Sequence, residues 1–251
     1  MQGSAGLTLA SLLPGCTEAA LTEATMPDGY EMPLESEPHE RTFMQWPVNL
    51  EVYDTRSLVK VQASIALIAN TIARYESVVI LAAAEHHAAT RKLISTDVEL
   101  WDIPTDDLWC RDSGPTFVKN AKGELAIAHI LFNGWGDKQP HGNDALVAER
   151  IAERLDLPLL DTGLVGEQGG VEHDGAGTVL AHASCWANPN RNSASDAEIG
   201  EKLLKALGGE KMIWAPGITG KDITDYHIDA LARFVGPAKV LIQLGNEVDP
   251  G

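Results

Sequence analysis

Apolar residues between Leu58 and Tyr75 fall at Leu58, Val61, Ile65, Ile68 and Ile72, three and four apart. That spacing predicts an amphipathic helix. The uninterrupted run Val78-Val79-Ile80-Leu81 predicts a buried strand directly after it. Thr116–Val118 and Leu125–Phe132 then flank Lys119-Asn120-Ala121-Lys122-Gly123, which reads as a hairpin with its turn. A helix is predicted over Asp144–Leu155 and a short strand at Leu159-Leu160. The order recurs. A second hairpin turns at Asp174–Gly177 and returns over Thr178–His182, followed by a helix over Ser195–Leu207 and a strand at Met212–Trp214. A third hairpin is predicted from His227 to Leu244, turning at Gly236-Pro237.

Hairpin, helix and strand thus recur about every fifty to sixty residues, a period expected of blade-like repeats. Each unit has an apolar face that only a neighbour can bury, and closing the units into a ring would remove their open edges. The pattern predicts a radial α/β array, not a doubly wound sheet. Neither GxGxxG nor GxxxxGK[ST] occurs, so dinucleotide and P-loop readings lack their phosphate-binding turn. The glycines between Gly163 and Gly170 have the wrong spacing and precede a hairpin.

Composition narrows the function classes. The chain has 251 residues, 44% hydrophobic and 22% charged, which fits one large domain or two small ones. No apolar run reaches the roughly 18 residues of a membrane helix. With 19 Lys+Arg against 36 Asp+Glu the net charge is −17, which argues against nucleic acid and favours cationic ligands. The three cysteines, Cys16, Cys110 and Cys185, are neither a CxxC motif nor a disulfide framework. His182 and Cys185 stand three apart, a metal spacing only on a helix, and their setting reads as a strand. No metal is expected.

The termini carry separate expectations. The first Lys or Arg is Arg41. Ala5–Pro14 is small and apolar, resembling an export signal without its basic start. Leu13-Pro14-Gly15-Cys16 resembles a lipoprotein cleavage box, which makes Cys16 a candidate lipid anchor. Residues 1–25 are expected to be a leader remnant and linker, flexible over Thr17–Thr25, and 26–251 the domain. Export is expected if that leader is real, and a cytoplasmic location otherwise. At the other end, Lys239–Leu244 reads as a strand with only Gly245–Gly251 after it, and its neighbour is unexplained.

Two polar clusters interrupt the apolar pattern. Asp112 lies in Trp109-Cys110-Arg111-Asp112-Ser113-Gly114-Pro115, just before the first hairpin. Asp222, Asp225, His227 and Asp229 open the third. On a strand, His227 and Asp229 would share one face. Asp is common in turns and polar residues are common at strand starts, so neither cluster is diagnostic alone. Placed at equivalent points of repeated units, they would converge on the axis of a ring. Two carboxylates accept the parallel N–H pairs of a planar guanidinium, and a histidine beside them can move a proton.

Several segments, in order, resemble the agmatine deiminase and bacterial peptidylarginine deiminase family. They are Met26-Pro27, Glu37–Pro47, Trp109–Val118 (WCRDSGPTFV), Phe132–Gly136 (FNGWG), Gly169-Gly170, Asp174–Thr178, Asn188–Asn192 (NPNRN) and Asp225–Asp229. Together they run from Met26 to about Leu244. The resemblance implies the pentein fold, an α/β propeller of ββαβ units, incomplete here. It implies hydrolysis of a guanidinium to a ureido group with release of ammonia, most simply agmatine to N-carbamoylputrescine. By the family's motif, Asp112 and Asp229 would hold the guanidinium nitrogens, and His227 would protonate the leaving ammonia and then activate water. Trp109 would wall the pocket, with Asp222 or Asp225 in support. A cysteine thiolate would attack the guanidinium carbon, with no cofactor.

The chain departs from the family twice. Many relatives carry Glu before the glycine pair, where this chain has Gln168, with Glu167 one place earlier. This unsettles the substrate contact expected at Gln168. The family's nucleophile also lies in a glycine-rich segment towards the C-terminus, and this chain ends before such a segment. Cys110 and Cys185 are expected to be buried small apolar residues, not nucleophiles. The expectation is a piece of a longer enzyme that holds the guanidinium and moves protons without turning over. The alternatives are an exported peptidylarginine deiminase, acting on arginine to give citrulline, and a non-catalytic guanidinium binder.

Overall fold

The computed structural model describes residues 24–244. The leader-like stretch, Cys16 and residues 245–251 lie outside the described residues. Short strands β1 (Ala24–Thr25) and β2 (Tyr30–Glu31) lead into β3 (Thr42–Gln45). Helix α1 (Thr55–Ile72) starts three residues before the predicted one, because Asp54 caps it by accepting from Arg56 N and Ser57 N. Strand β4 (Val78–Ala82), α2 (Ala84–Thr90) and β5 (Val98–Asp102) follow. β4 is the centre of a parallel β3–β4–β5 sheet and is buried along its whole length. Its faces alternate. Val78 and Ile80 pack on Ile65 and Ala69 of α1, while Val79 and Leu81 join a different core with the next unit.

That next unit has the predicted order. The short α3 (Cys110–Ser113) enters an antiparallel hairpin of β6 (Thr116–Asn120) and β7 (Leu125–Leu131). The turn α4 (Gly134–Asp137), α5 (Val147–Leu155) and β8 (Leu159–Val165) complete it. β8 runs five residues beyond the predicted Leu159-Leu160, because it pairs in parallel with β7 as far as Leu131↔Val165. β1 adds to the β8 edge and β2 to the β6 edge, so Ala24 and Thr25, the end of the expected linker, are already paired. Val147 and Ile151 of α5 cover Val79 and Leu81 of β4, the burial by a neighbour that the repeat predicts.

The order repeats with β9 (Val171–His173), β10 (Thr178–His182), α6 (Ala183–Trp186), α7 (Asp196–Leu207) and β11 (Lys211–Ala215). β10 is antiparallel to β9 and parallel to β11. Asp174 closes the hairpin turn by accepting from Ala176 N and Thr178 N. Ser195 and Glu198 form a capping box at the start of α7, and Gly208 ends it in the left-handed region. Ile199 and Leu203 bury against Trp186 and against Leu164 of β8.

The third hairpin, β12 (Ala232–Gly236) and β13 (Lys239–Ile242), starts later than predicted. His227–Leu231 is a looped segment, not a strand. Asp225 and Tyr226 have φ of 60° and 78°, which breaks any extended run leading to His227. The shared-face argument for His227 and Asp229 therefore fails. The two are brought together by a loop that Ile228 pins into a core with Leu180 and Ala232.

Candidate active site

Three loops, each just before a hairpin, meet at one point. They are the α3 turn with Asp112, the segment Glu167–Gly170 before β9, and His227–Asp229 before β12. Gly169 lies at the centre. Its amide donates to Asp112 Oδ1 at 3.2 Å, and its carbonyl accepts from the Asp229 amide at 3.1 Å. A Cβ at Gly169 would stand 2.5 Å from His227 Nδ1, 2.6 Å from Asp112 Oδ1 and 3.0 Å from Asp229 Oδ2. Only glycine lets the three side chains approach this closely.

Each loop is held by its own polar framework. Ser113, next to Asp112, donates to Gln45 Oε1, and Gln45 donates in turn to buried Asp144. Asp144 also accepts from the Asp106 and Asp107 amides, and burial pushes its carboxyl up to about 7. From the other side, Trp135 Nε1 donates to Asp112 Oδ2 at 3.0 Å. Trp135 reaches it through the left-handed FNGWG turn, with φ of 59° at Trp135 and 84° at Gly136. Gly136 has a further reason to be glycine, because a Cβ there would run into Asn190 at 2.3 Å.

His227 is buried. Its Nε2 shares a hydrogen bond with Glu167 Oε2 at 3.1 Å, and its Nδ1 lies 3.7 Å from Asp112 Oδ1. Glu167, one place before the Gln168 expected to contact substrate, is the carboxylate that meets the imidazole. Gln168 Nε2 instead donates to Thr116 Oγ1 at 2.6 Å. The only sequence signal for Glu167 was its place one residue from the familiar glutamate. Glu167 is anchored by Arg191 of the NPNRN segment, whose Nε donates to its two oxygens at 2.8 and 3.0 Å. Arg191 also donates to Asp225 Oδ2 at 2.9 Å and to the Thr224 carbonyl at 3.1 Å.

The remaining candidates separate into different places. Asp225 is buried and accepts from Lys138, Arg191, Asn190 and the Gly220 amide. Burial raises its pKa, but these donors outweigh it and hold it at about 2. It meets Arg191 and not the carboxylate pair. Asp222 ties down the loop, accepting from Thr224 and from the Tyr226 amide. Trp109 is half exposed, and its carbonyl accepts from the amides of Asp112 and Ser113. His182 bonds the Tyr226 carbonyl, and Cys185 donates to the His182 carbonyl, so each has its own protein partner. Among the described residues, no group of three or more His, Cys, Asp or Glu could hold a metal ion.

Burial raises the Asp112 carboxyl, only partly offset by the nearby imidazole. Burial would lower His227, but the Glu167 hydrogen bond and the charges of Asp112 and Asp229 outweigh it and raise the pKa above 6.5. The protonated His227 pair therefore contributes stability that is full below about pH 6.5 and is lost as pH rises through the raised folded-state value. Urea midpoints at pH 6 and pH 9 should show a steeper loss in the wild type than in His227→Asn. Equal losses in the two proteins would refute the pairing.

Burial pushes Cys110 and Cys185 up to about 12. Neither has the thiolate character of a nucleophile.

A family model for the Porphyromonas-type peptidyl-arginine deiminases matches residues 31–250. The chain belongs to that family. An agmatine deiminase of Pseudomonas aeruginosa is 35% identical over 236 residues, covering 91% of this chain and 64% of that protein. A Streptomyces coelicolor relative is 36% identical over 229 residues, covering 88% of this chain and 67% of its own length. Among solved structures, the agmatine deiminase of Enterococcus faecalis superposes with a TM-score of 0.84 at 27% identity, covering 91% of this chain and 66% of that one. A cysteine-to-serine variant of the Campylobacter jejuni agmatine deiminase, with substrate bound, superposes with a TM-score of 0.73 at 26% identity, covering 90% of this chain and 66% of that one. The fold of this deiminase-family chain is thus the pentein α/β propeller, seen here as successive ββαβ units. The chain spans 64% to 67% of the length of these curated relatives.

Proposed function

We propose that this chain holds a guanidinium and moves protons in the hydrolytic deimination of agmatine. The observation that carries the reading is the meeting of Asp112, Asp229 and His227 at Gly169, drawn from three hairpin entrances. Asp112 and Asp229 accept the N–H pairs of the guanidinium, and each Asp112 oxygen keeps acceptor capacity beyond its one protein donor. Glu167 holds His227 protonated and oriented towards the carboxylates. A thiolate adds to the guanidinium carbon. His227 gives its proton to the departing nitrogen as ammonia leaves, then takes a proton from the water that releases the ureido product. Burial disqualifies Cys110 and Cys185 as that thiolate, and the groups assigned here are those that bind the guanidinium and carry its protons.

Calorimetric titration of the 251-residue chain tests this. Agmatine should bind the wild type, and Asp112→Asn and Asp229→Asn should each weaken it at least about tenfold, the loss expected when one charged partner of a guanidinium goes. No ammonia should be released. Unchanged affinity in both variants would overturn the binding role, and ammonia release would overturn the division of labour. The runner-up, deimination of peptidyl-arginine, shares the same two carboxylates, and an arginine peptide in the same titration separates the two.

A further inference from the structure

Beside Asp229 lies a second charged arrangement that the reaction above does not use. Arg111 and Arg233 converge on the two oxygens of Glu35, each guanidinium on a different one. Behind them buried Glu172 pairs with Arg233 Nε at 2.7 Å and accepts from Arg111 NH2 at 3.4 Å. Among the described residues Arg111 Nε has no hydrogen-bond partner, and it faces Asp229 Oδ2 at 3.5 Å. One guanidinium therefore separates Glu35 from the carboxylate assigned to the substrate. A cavity of about 180 Å³ opens here, lined by Glu35, Arg111, Gln168, Glu172, Arg233 and Phe234.

The members of this cluster are not equally fixed. Glu172 is on β9 and only 6% exposed, whereas Glu35 is 56% exposed and sits in the turn that Leu34 and Glu37 close. Two arginines set around two oxygens make a carboxylate-binding fork. The charges of Arg111 and Arg233 are cancelled by Glu35 and Glu172, so removing Glu35 makes the cluster one charge more positive.

We propose that Glu35 fills a carboxylate-binding fork of Arg111 and Arg233 next to Asp229, and so excludes guanidines that carry a carboxylate. The inference rests on Asp229 holding the guanidinium. It makes Glu35 a specificity-determining residue. Agmatine, which has no carboxylate, is accepted. Free arginine places its carboxylate against Glu35 and is refused by like charge, a repulsive device of the kind that sets specificity.

The test titrates the 251-residue chain with agmatine, arginine and butyrate, the last a carboxylate without a guanidinium. Wild type should favour agmatine. Glu35→Ala should raise the arginine-to-agmatine affinity ratio at least about tenfold, and Glu35→Gln, which keeps the volume, should do the same if charge is the cause. Adding Arg233→Ala to Glu35→Ala should abolish the gain. A ratio unchanged in both Glu35 variants, or a gain that survives the double substitution, overturns the fork. If agmatine fails to bind the wild type while butyrate binds only after Glu35 is removed, the fork stands and the guanidinium reading falls.

Discussion

Gly169→Ala should bind agmatine about a hundredfold more weakly than wild type while unfolding at nearly the same denaturant concentration. The new Cβ would stand 2.5 Å from His227 Nδ1 and 2.6 Å from Asp112 Oδ1, too close for either to remain. Both are ends of side chains, so the backbone survives and the carboxylates and imidazole retreat. Losing a hydrogen bond to a charged group costs about 1.5–3 kcal/mol, so displacing two such groups lowers affinity about a hundredfold. Calorimetry gives the affinity and urea unfolding gives the control. Wild-type affinity in Gly169→Ala would show that the space around Gly169 does not set the site. A large loss of stability would shift the residue's role from alignment to folding.

Arg191→Met should be the most destabilising substitution near the site. Arg191 is 1% exposed and pairs with Glu167 and Asp225, each also nearly inaccessible. Removing it leaves Glu167 with only the imidazole of His227 and strips Asp225 of one cation. Breaking a buried ion pair by removing one partner costs about 3–5 kcal/mol, because the remaining charge stays buried. Arg191→Lys should recover little, since one ammonium cannot replace a fork that reaches two carboxylates and the Thr224 carbonyl. The pH dependence gives an independent check. Asp225 is depressed from 3.8 to about 2, so its pairing stabilises the fold above pH 3.8 and is lost as pH falls through about 2. The acid limb of the unfolding curve should be shallower in Arg191→Met. Stability within about 1 kcal/mol of wild type would show that the pair is worth little net.

Local chemistry was legible along the chain where one face decides the structure. The apolar run at Val78 becomes the wholly buried β4, and Asp174, Gly175 and Gly177 close the predicted hairpin. The convergence of the two polar clusters followed from the repeat, and they meet at Gly169, in the entrance of the remaining hairpin, which the sequence pattern did not place there. Legibility failed where backbone conformation or distant partners decide. His227 and Asp229 looked like alternating strand positions, but positive φ at Asp225 and Tyr226 turns them into a loop. Asp225 was expected to support the pocket, and the partners that fix it, Lys138, Asn190 and Arg191, are far from it in sequence. Glu167 was hidden by one residue of register, since its role depends on Arg191 reaching it across the fold.

The Gly169 peptide unit has a consequence for how the repeats can diverge. Its N–H ends on the loop of one hairpin and its C=O on the loop of another, and it belongs to a third. Three modules that share their cores with their neighbours are thereby also tuned to one reference. Helices and strand lengths in each module are free to drift so long as these two hydrogen bonds persist. A drift that lengthens either bond detunes both carboxylates together. Selection on the chemistry of such an architecture would act through the N–H and C=O of one glycine, where any added side chain would collide with the site.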